Sequence, residues 1–221
     1  SIIEGAFYGN NVVKVNTLKE AYELAKNSPG TIVTDMPVYR AEEIGLERDA
    51  KVLLFNDGAV TGRYAQARRI KGEPGVDAAK LDKVVMDAIY KTRWNTMYHA
   101  ECYIGLDPEF MAKAHLLIPE GEENLLYNWM LNFQYMSDKY VQMYKESQPI
   151  GGGKEPDIYI FSNPQWAPTE SPDVDYSCLS DPLTLCYFDT EQNCAAILGM
   201  KYFGEHKKGT LTMAWAMANR N

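Results

Sequence analysis

The sequence predicts an α/β domain of mixed character, a mixed β-sheet flanked by helices, over residues 1–221. Three observations carry that prediction. Stretches with apolar residues at helical spacing alternate along the chain with short runs rich in β-branched and aromatic residues. The last third holds three such runs close together, two of them separated by a short polar turn. With 46% hydrophobic residues in 221, the chain can also bury a sizeable core.

Each element has a local justification. Leu18, Ala21, Tyr22, Leu24 and Ala25 recur at helical spacing behind Asn16 and Thr17, either of which can cap, and the pattern stops at NSPG. KVLLFND, residues 51–57, reads as a buried strand running into the turn GAVTGR. Asp77 is placed to cap a helix whose Leu81, Val84, Val85, Ala88 and Ile89 form one stripe, fading near Trp94 and Asn95. MYHAECYIG and AKAHLLIP read as strands. EENLLYNWMLNFQYM, with two acidic residues in its first turn, reads as a helix. QPIGGGKEP, residues 148–156, is loop-like. DIYIFSN, LTLCYFD and CAAILGMKY read as strands, with a Pro- and Asp-rich excursion at 164–182 and a hairpin turn at Thr190–Asn193. A last helix is expected from about Lys207, containing Thr212, Ala214, Trp215 and Met217.

Composition excludes several functions. A net charge of −8, with no basic cluster interleaved with aromatics, argues against a nucleic-acid surface. No window approaches the length of a membrane span, and SIIEGAFYGN lacks a basic segment followed by an apolar one, so a cytoplasmic protein is expected. The four cysteines, at 102, 178, 186 and 194, lack zinc-site spacing and disulfide density and are expected to be buried free thiols. Gly151–Lys154 fails the phosphate-loop pattern, since Gln148 and Glu155 stand where Gly and Ser or Thr are required. The three histidines, 99, 115 and 206, are too dispersed to suggest a metal cage, and His99 and His115 read as ordinary strand residues.

Two places can carry chemistry. Arg63, after two glycines in a turn that follows a strand, could grip a carboxylate or phosphate through its guanidinium fork. Lys207 and Lys208, in KYFGEHKKGT, precede a predicted helix, where partial positive charge makes ammonium groups unfavourable. That field, and each lysine's charge on the other, should lower a pKa and leave a neutral amine able to ligate a divalent metal. The partner lysine would hold an anionic substrate. Solvent-facing lysines with no role are the dull alternative.

Taken in order, these motifs resemble those of ATP-dependent phosphoenolpyruvate carboxykinases. Thr61-Gly62-Arg63 matches a Thr-Gly-Arg that ends a strand-to-turn segment in the family. Tyr202-Phe203-Gly204-Glu205-His206-Lys207-Lys208-Gly209 matches its Tyr-Ala-Gly-Glu-Met-Lys-Lys-Gly. Between them the element order agrees, including the Gly105–Pro108 turn and the strand in DIYIFSNPQW. The resemblance spans about Lys51 to Asn221. It implies that Arg63 binds the carboxylate of oxaloacetate or phosphoenolpyruvate, and that Tyr202 lines the same pocket. Lys207 would contact substrate or the transferring phosphoryl group, and Lys208 would ligate Mn2+ (or Mg2+). The implied reaction decarboxylates oxaloacetate to an enolate that takes the γ-phosphoryl of ATP.

The sequence departs from that pattern after Arg63, continuing Tyr64-Ala65-Gln66-Ala67-Arg68-Arg69 where the family has Ser-Pro-Lys-Asp-Lys-Phe. The family's phosphate loop, adenine site and remaining metal ligands lie downstream of its double-lysine helix. The chain is therefore expected to be the amino-terminal, substrate-side domain of a longer enzyme, partnered by a carboxy-terminal nucleotide-binding domain and inactive alone. A non-catalytic dicarboxylate-binding or regulatory module on the same scaffold is the alternative.

Overall fold

The computed structural model describes residues 1–55, 67–107, 110–133, 137–149, 157–168, 173–179, 184–201 and 203–220. The chain runs α1 (Ile2–Ala6), β1 (Val12–Lys14), α2 (Leu18–Lys26), β2 (Thr31–Pro37), β3 (Lys51–Phe55), β4 (Arg68–Ile70) and α3 (Ala78–Lys91). It continues β5 (Met97–Asp107), β6 (Phe110–Pro119), α4 (Glu123–Phe133), α5 (Ser137–Glu146), β7 (Gln148–Pro149) and β8 (Ile158–Asn163). It ends β9 (Leu185–Asp189), β10 (Cys194–Leu198) and α6 (Phe203–Arg220).

The predicted caps form. The Thr17 side chain accepts a hydrogen bond from the backbone N–H of Glu20, and Asp77 accepts from that of Lys80, each satisfying one donor the first turn leaves open. Thr17→Ala should accordingly cost about 1 kcal/mol of unfolding free energy, read as a lower urea midpoint at unchanged slope.

The main sheet is mixed, as predicted, with strand order β1-β5-β6-β8-β10-β9-β4 and β7 pairing β6 beside the start of β8. β5/β6 and β9/β10 are antiparallel, whereas β6/β8, β8/β10, β1/β5 and β4/β9 are parallel. Period-two alternation then divides each strand between two cores. Ala100, Cys102, Leu116, Ile160 and Ile197 face α2, α4 and α6. Met97, Leu117, Phe161, Tyr187 and Ala196 face α1 and α3. The sheet is thus a central layer between two sets of helices.

Three expectations are corrected. KVLLF is not a buried strand: among the described residues β3 pairs β2 in a separate two-stranded ribbon, and Leu54 is exposed. The helix predicted over 122–136 is α4, described as far as Phe133; residues 134–136 lie outside the described residues, and α5 follows them. Cys102, Cys186 and Cys194 are buried thiols as expected, but Cys178 is only half-buried. The last helix starts at Phe203 rather than Lys207, drawing in a turn of sequence that periodicity alone left outside. Among the described residues no helix is long and apolar enough to cross a membrane.

Candidate functional site

The strand that follows the 56–66 stretch and the opening of α6 meet at one end of the sheet. β4 lies parallel to β9, with the Cys186 N–H donating to the Ala67 carbonyl, which brings Arg68 beside the opening turn of α6. There its guanidinium takes a fork on Glu205: Nε lies 3.1 Å from Oε2, and Nη2 lies 3.1 Å from Oε1 and 3.0 Å from Oε2. Glu205 is buried, so this bidentate pair satisfies a carboxylate that would otherwise be stranded. On the other side of the 56–66 stretch, the Phe55 ring lies 6.0 Å from Lys201 Nζ, a cation–π distance. The described residues that bracket the Thr-Gly-Arg segment therefore both contact the 201–205 segment.

A third matched stretch joins this corner. Lys201 Nζ is 3.0 Å from Oε2 of the buried Glu122, and the Gln165 side-chain amide, in NPQW, donates to Glu122 Oε1 at 2.9 Å. Glu122 thus links the residue preceding Tyr202 to the loop after β8.

Lys207 and Lys208 are both exposed, in the second turn of α6. The free N–H groups of the helix belong to the turn before them, and the field they create falls off within that turn. The premise that the pair stands at the helix start is corrected accordingly. The other side of the helix is buried. His206, Gly209, Thr210, Met213, Ala214 and Met217 recur at helical spacing toward the sheet. At Gly209 a Cβ would stand 3.3 Å from the Phe188 ring, so glycine permits the close approach. His206 Nε2 lies 2.7 Å from Ser162 Oγ, which ties the helix to β8 directly beneath the lysines. Arg63 and Tyr202 lie outside the described residues.

A second constellation occupies the opposite face of the sheet. Antiparallel register places Glu101 of β5 directly across from His115 of β6, and His99, two residues before Glu101, shares their face. His99 Nε2 lies 2.8 Å from His115 Nδ1, and His115 Nδ1 lies 3.7 Å from Glu101 Oε2. One ligand atom from each of the three falls within 4.8 Å of the others, so the group could hold a metal ion. The expectation that the histidines are too dispersed for a metal site is therefore corrected for His99 and His115.

The surroundings of this cluster are polar and built. His115 Nε2 lies 2.9 Å from Asp157 Oδ2, and because an ionised carboxylate only accepts, the proton sits on Nε2. His115 Nδ1 is then the acceptor, and His99 Nε2–H the donor, in the bond between the rings. The Tyr159 ring stacks on His115 at 4.6 Å and 6°, and Phe7 stands edge-on to His99. Burial, and secondarily the neighbouring His115 and Lys14, lowers the His99 pKa to about 4, so it is neutral at neutral pH. Lys14 and Lys113 each pair with Glu101, at 3.3 Å and 3.4 Å.

Sequence reasoning missed this cluster because it looked for helical His spacing. The available signal was different in kind. His-x-Glu in a strand puts both side chains on one face; Gly105 and Asp107, expected in a turn, belong to β5 instead, and the pairing of Asp107 with Phe110 sets position 101 against 115. No family model matches the sequence, and no curated protein is significantly similar to it.

Proposed function

We propose that the corner formed by β4, the start of α6 and the loop after β8 is the substrate-side half of an active site of the phosphoenolpyruvate carboxykinase kind. It binds the carboxylate or phosphate of oxaloacetate or phosphoenolpyruvate. One observation supports the reading: Arg68, five residues after Arg63, is joined by a bidentate fork to Glu205 of the double-lysine segment, 137 residues further on. Five residues of extended chain reach at most about 18 Å, so Arg63 is tethered within reach of the corner that presents Lys207 and Lys208. Three cations on one small anion would supply charge-assisted hydrogen bonds and, with Arg63, bidentate recognition.

In this reading Arg63 grips the substrate carboxylate, Tyr202 lines the pocket, and Lys207 faces the anionic group being transferred. On the family resemblance alone, Lys208 would be the amine that ligates Mn2+, whose chemistry would be to offset the negative charge that develops on the enolate. Among the described side chains at this corner Glu205 is committed to Arg68, so further ligands, and ATP, would come from a nucleotide-binding part outside these 221 residues.

Titration calorimetry of this polypeptide with phosphoenolpyruvate and with oxaloacetate checks the proposal. A Kd near 1 mM, about −4 kcal/mol, is expected for half a site. Arg63→Ala and Lys207→Ala should each weaken binding at least tenfold. Equal affinity in wild type and both variants would remove the assignment, and so would no binding at 20-fold higher ligand than that expected Kd.

A further inference from the structure

We propose that His99, Glu101 and His115 form a binding site for a divalent transition ion of borderline softness, such as Zn2+ or Co2+, on the face of the sheet opposite α6. The donor set is two imidazoles and one carboxylate, which suits these ions rather than Mg2+ or Ca2+. The spacing suits them as well. Two ligands each 2.0–2.1 Å from a tetrahedral ion lie about 3.4 Å apart. The observed separations of 2.8 Å between the facing ring nitrogens and 3.7 Å from His115 to Glu101 bracket that value, and all three ligand atoms lie within 4.8 Å of one another.

What distinguishes the cluster from a chance meeting of polar strand residues is the support behind His115. Asp157 holds its Nε2–H, which aims the Nδ1 lone pair at the shared point, the carboxylate–histidine–metal arrangement in which the outer group fixes tautomer and ring angle. Tyr159, stacked flat on the same ring, fixes its plane. His99 reaches the ion by moving its proton from Nε2 to Nδ1, so no charge has to be lost from that ring. All three ligands stand on paired strands, which hold them more precisely than a loop would.

The neighbouring lysines set the affinity. Lys113 pairs with Oε1 of Glu101 and can stay there, leaving Oε2 for the ion. Lys14 holds Oε2 and must give way, and its side chain is about half exposed, so it can move into water. Lys14 and Lys113 offset the charge of Glu101 and Asp157 around the site. Binding should therefore be micromolar rather than nanomolar, with one or more coordination positions left to water.

The experiment uses the polypeptide without a histidine tag, titrated with Co2+ by visible absorption and with Zn2+ by calorimetry. One equivalent of Co2+ should give d–d bands more intense than those of the aqueous ion. Glu101→Gln and His99→Gln should each remove them, with unchanged far-UV circular dichroism as the control for folding. Asp157→Asn should weaken Zn2+ binding about 10- to 100-fold. Lys14→Gln should tighten it, on the order of tenfold, by removing a positive charge beside the ion. Lys208→Ala should leave the cobalt spectrum unchanged, which separates this site from the anion site proposed above. No perturbed bands with excess Co2+, or bands and affinities that survive both Glu101→Gln and His99→Gln, would overturn the site.

Discussion

Arg68→Met is expected to lower the unfolding free energy by about 3 kcal/mol and to abolish anion binding at the same time. The reason lies in the group the substitution leaves behind. Glu205 is buried, with its side chain 7% exposed, and both of its oxygens are engaged by the Arg68 fork. Removing the guanidinium strands a carboxylate beside the buried thiol of Cys186, 3.9 Å from Oε2. A weak thiol donor cannot replace a bidentate ion pair. Because the Arg68 side chain is itself one-third exposed, water can reach the vacated space, which holds the loss at the lower end of the range for buried pairs. The double variant Arg68→Met with Glu205→Met tests the cause. Two apolar residues bury no charge, so most of the lost stability should return while anion binding stays absent. Urea denaturation of wild type, both single variants and the double variant measures the cycle. A cost under about 1 kcal/mol for the single change would show that the pair behaves as a surface ion pair and does not lock the corner.

Trp129→Ala should cost more, about 3 to 5 kcal/mol. Trp129 is fully buried on α4 and heads the largest buried side chains. Its indole Nε1–H donates at 3.1 Å to the Thr210 hydroxyl, which in turn donates to the His206 carbonyl one turn back in α6. The substitution therefore opens a cavity between two helices and removes a buried hydrogen bond. Trp129→Phe separates the two contributions, since it keeps most of the volume and loses the donor, and about 1 to 3 kcal/mol is expected from the unsatisfied Thr210 hydroxyl and the smaller ring. Thermal denaturation followed by circular dichroism reads both variants. Because Thr210 sits in the turn after Lys208, loosening this contact should also weaken phosphoenolpyruvate binding. Unchanged affinity in a destabilised but folded Trp129→Phe protein would show that α6 is positioned by the sheet alone.

Much of the scaffold was legible in the residues. Thr17 and Asp77 mark helix starts through their own side-chain chemistry, and the Leu81, Val84, Val85, Ala88 stripe is a property of one helix that needs no neighbour to be read. The hairpin of β9 and β10 was readable from its turn, where Asn193 takes a left-handed φ of 54°. The elements that escaped are those with little pattern of their own. β1 and β4 are three residues each, too short for alternation to register, and exist because β5 and β9 offer them an edge. The start of α6 escaped because Glu205 and His206 are polar and read as loop, although both are buried against partners from β4 and β8.

The sequence by itself determined the alternation of strands and helices and where two helices begin, because these depend on neighbours a few positions away. Tertiary structure alone decided that Arg68 would meet Glu205 and that His99, Glu101 and His115 would share one face. Those meetings depend on strand order and register, and a shift of one residue in the β5/β6 pairing would turn His115 to the other side of the sheet. Local patterns fix which groups are present. Long-range pairing fixes which of them touch.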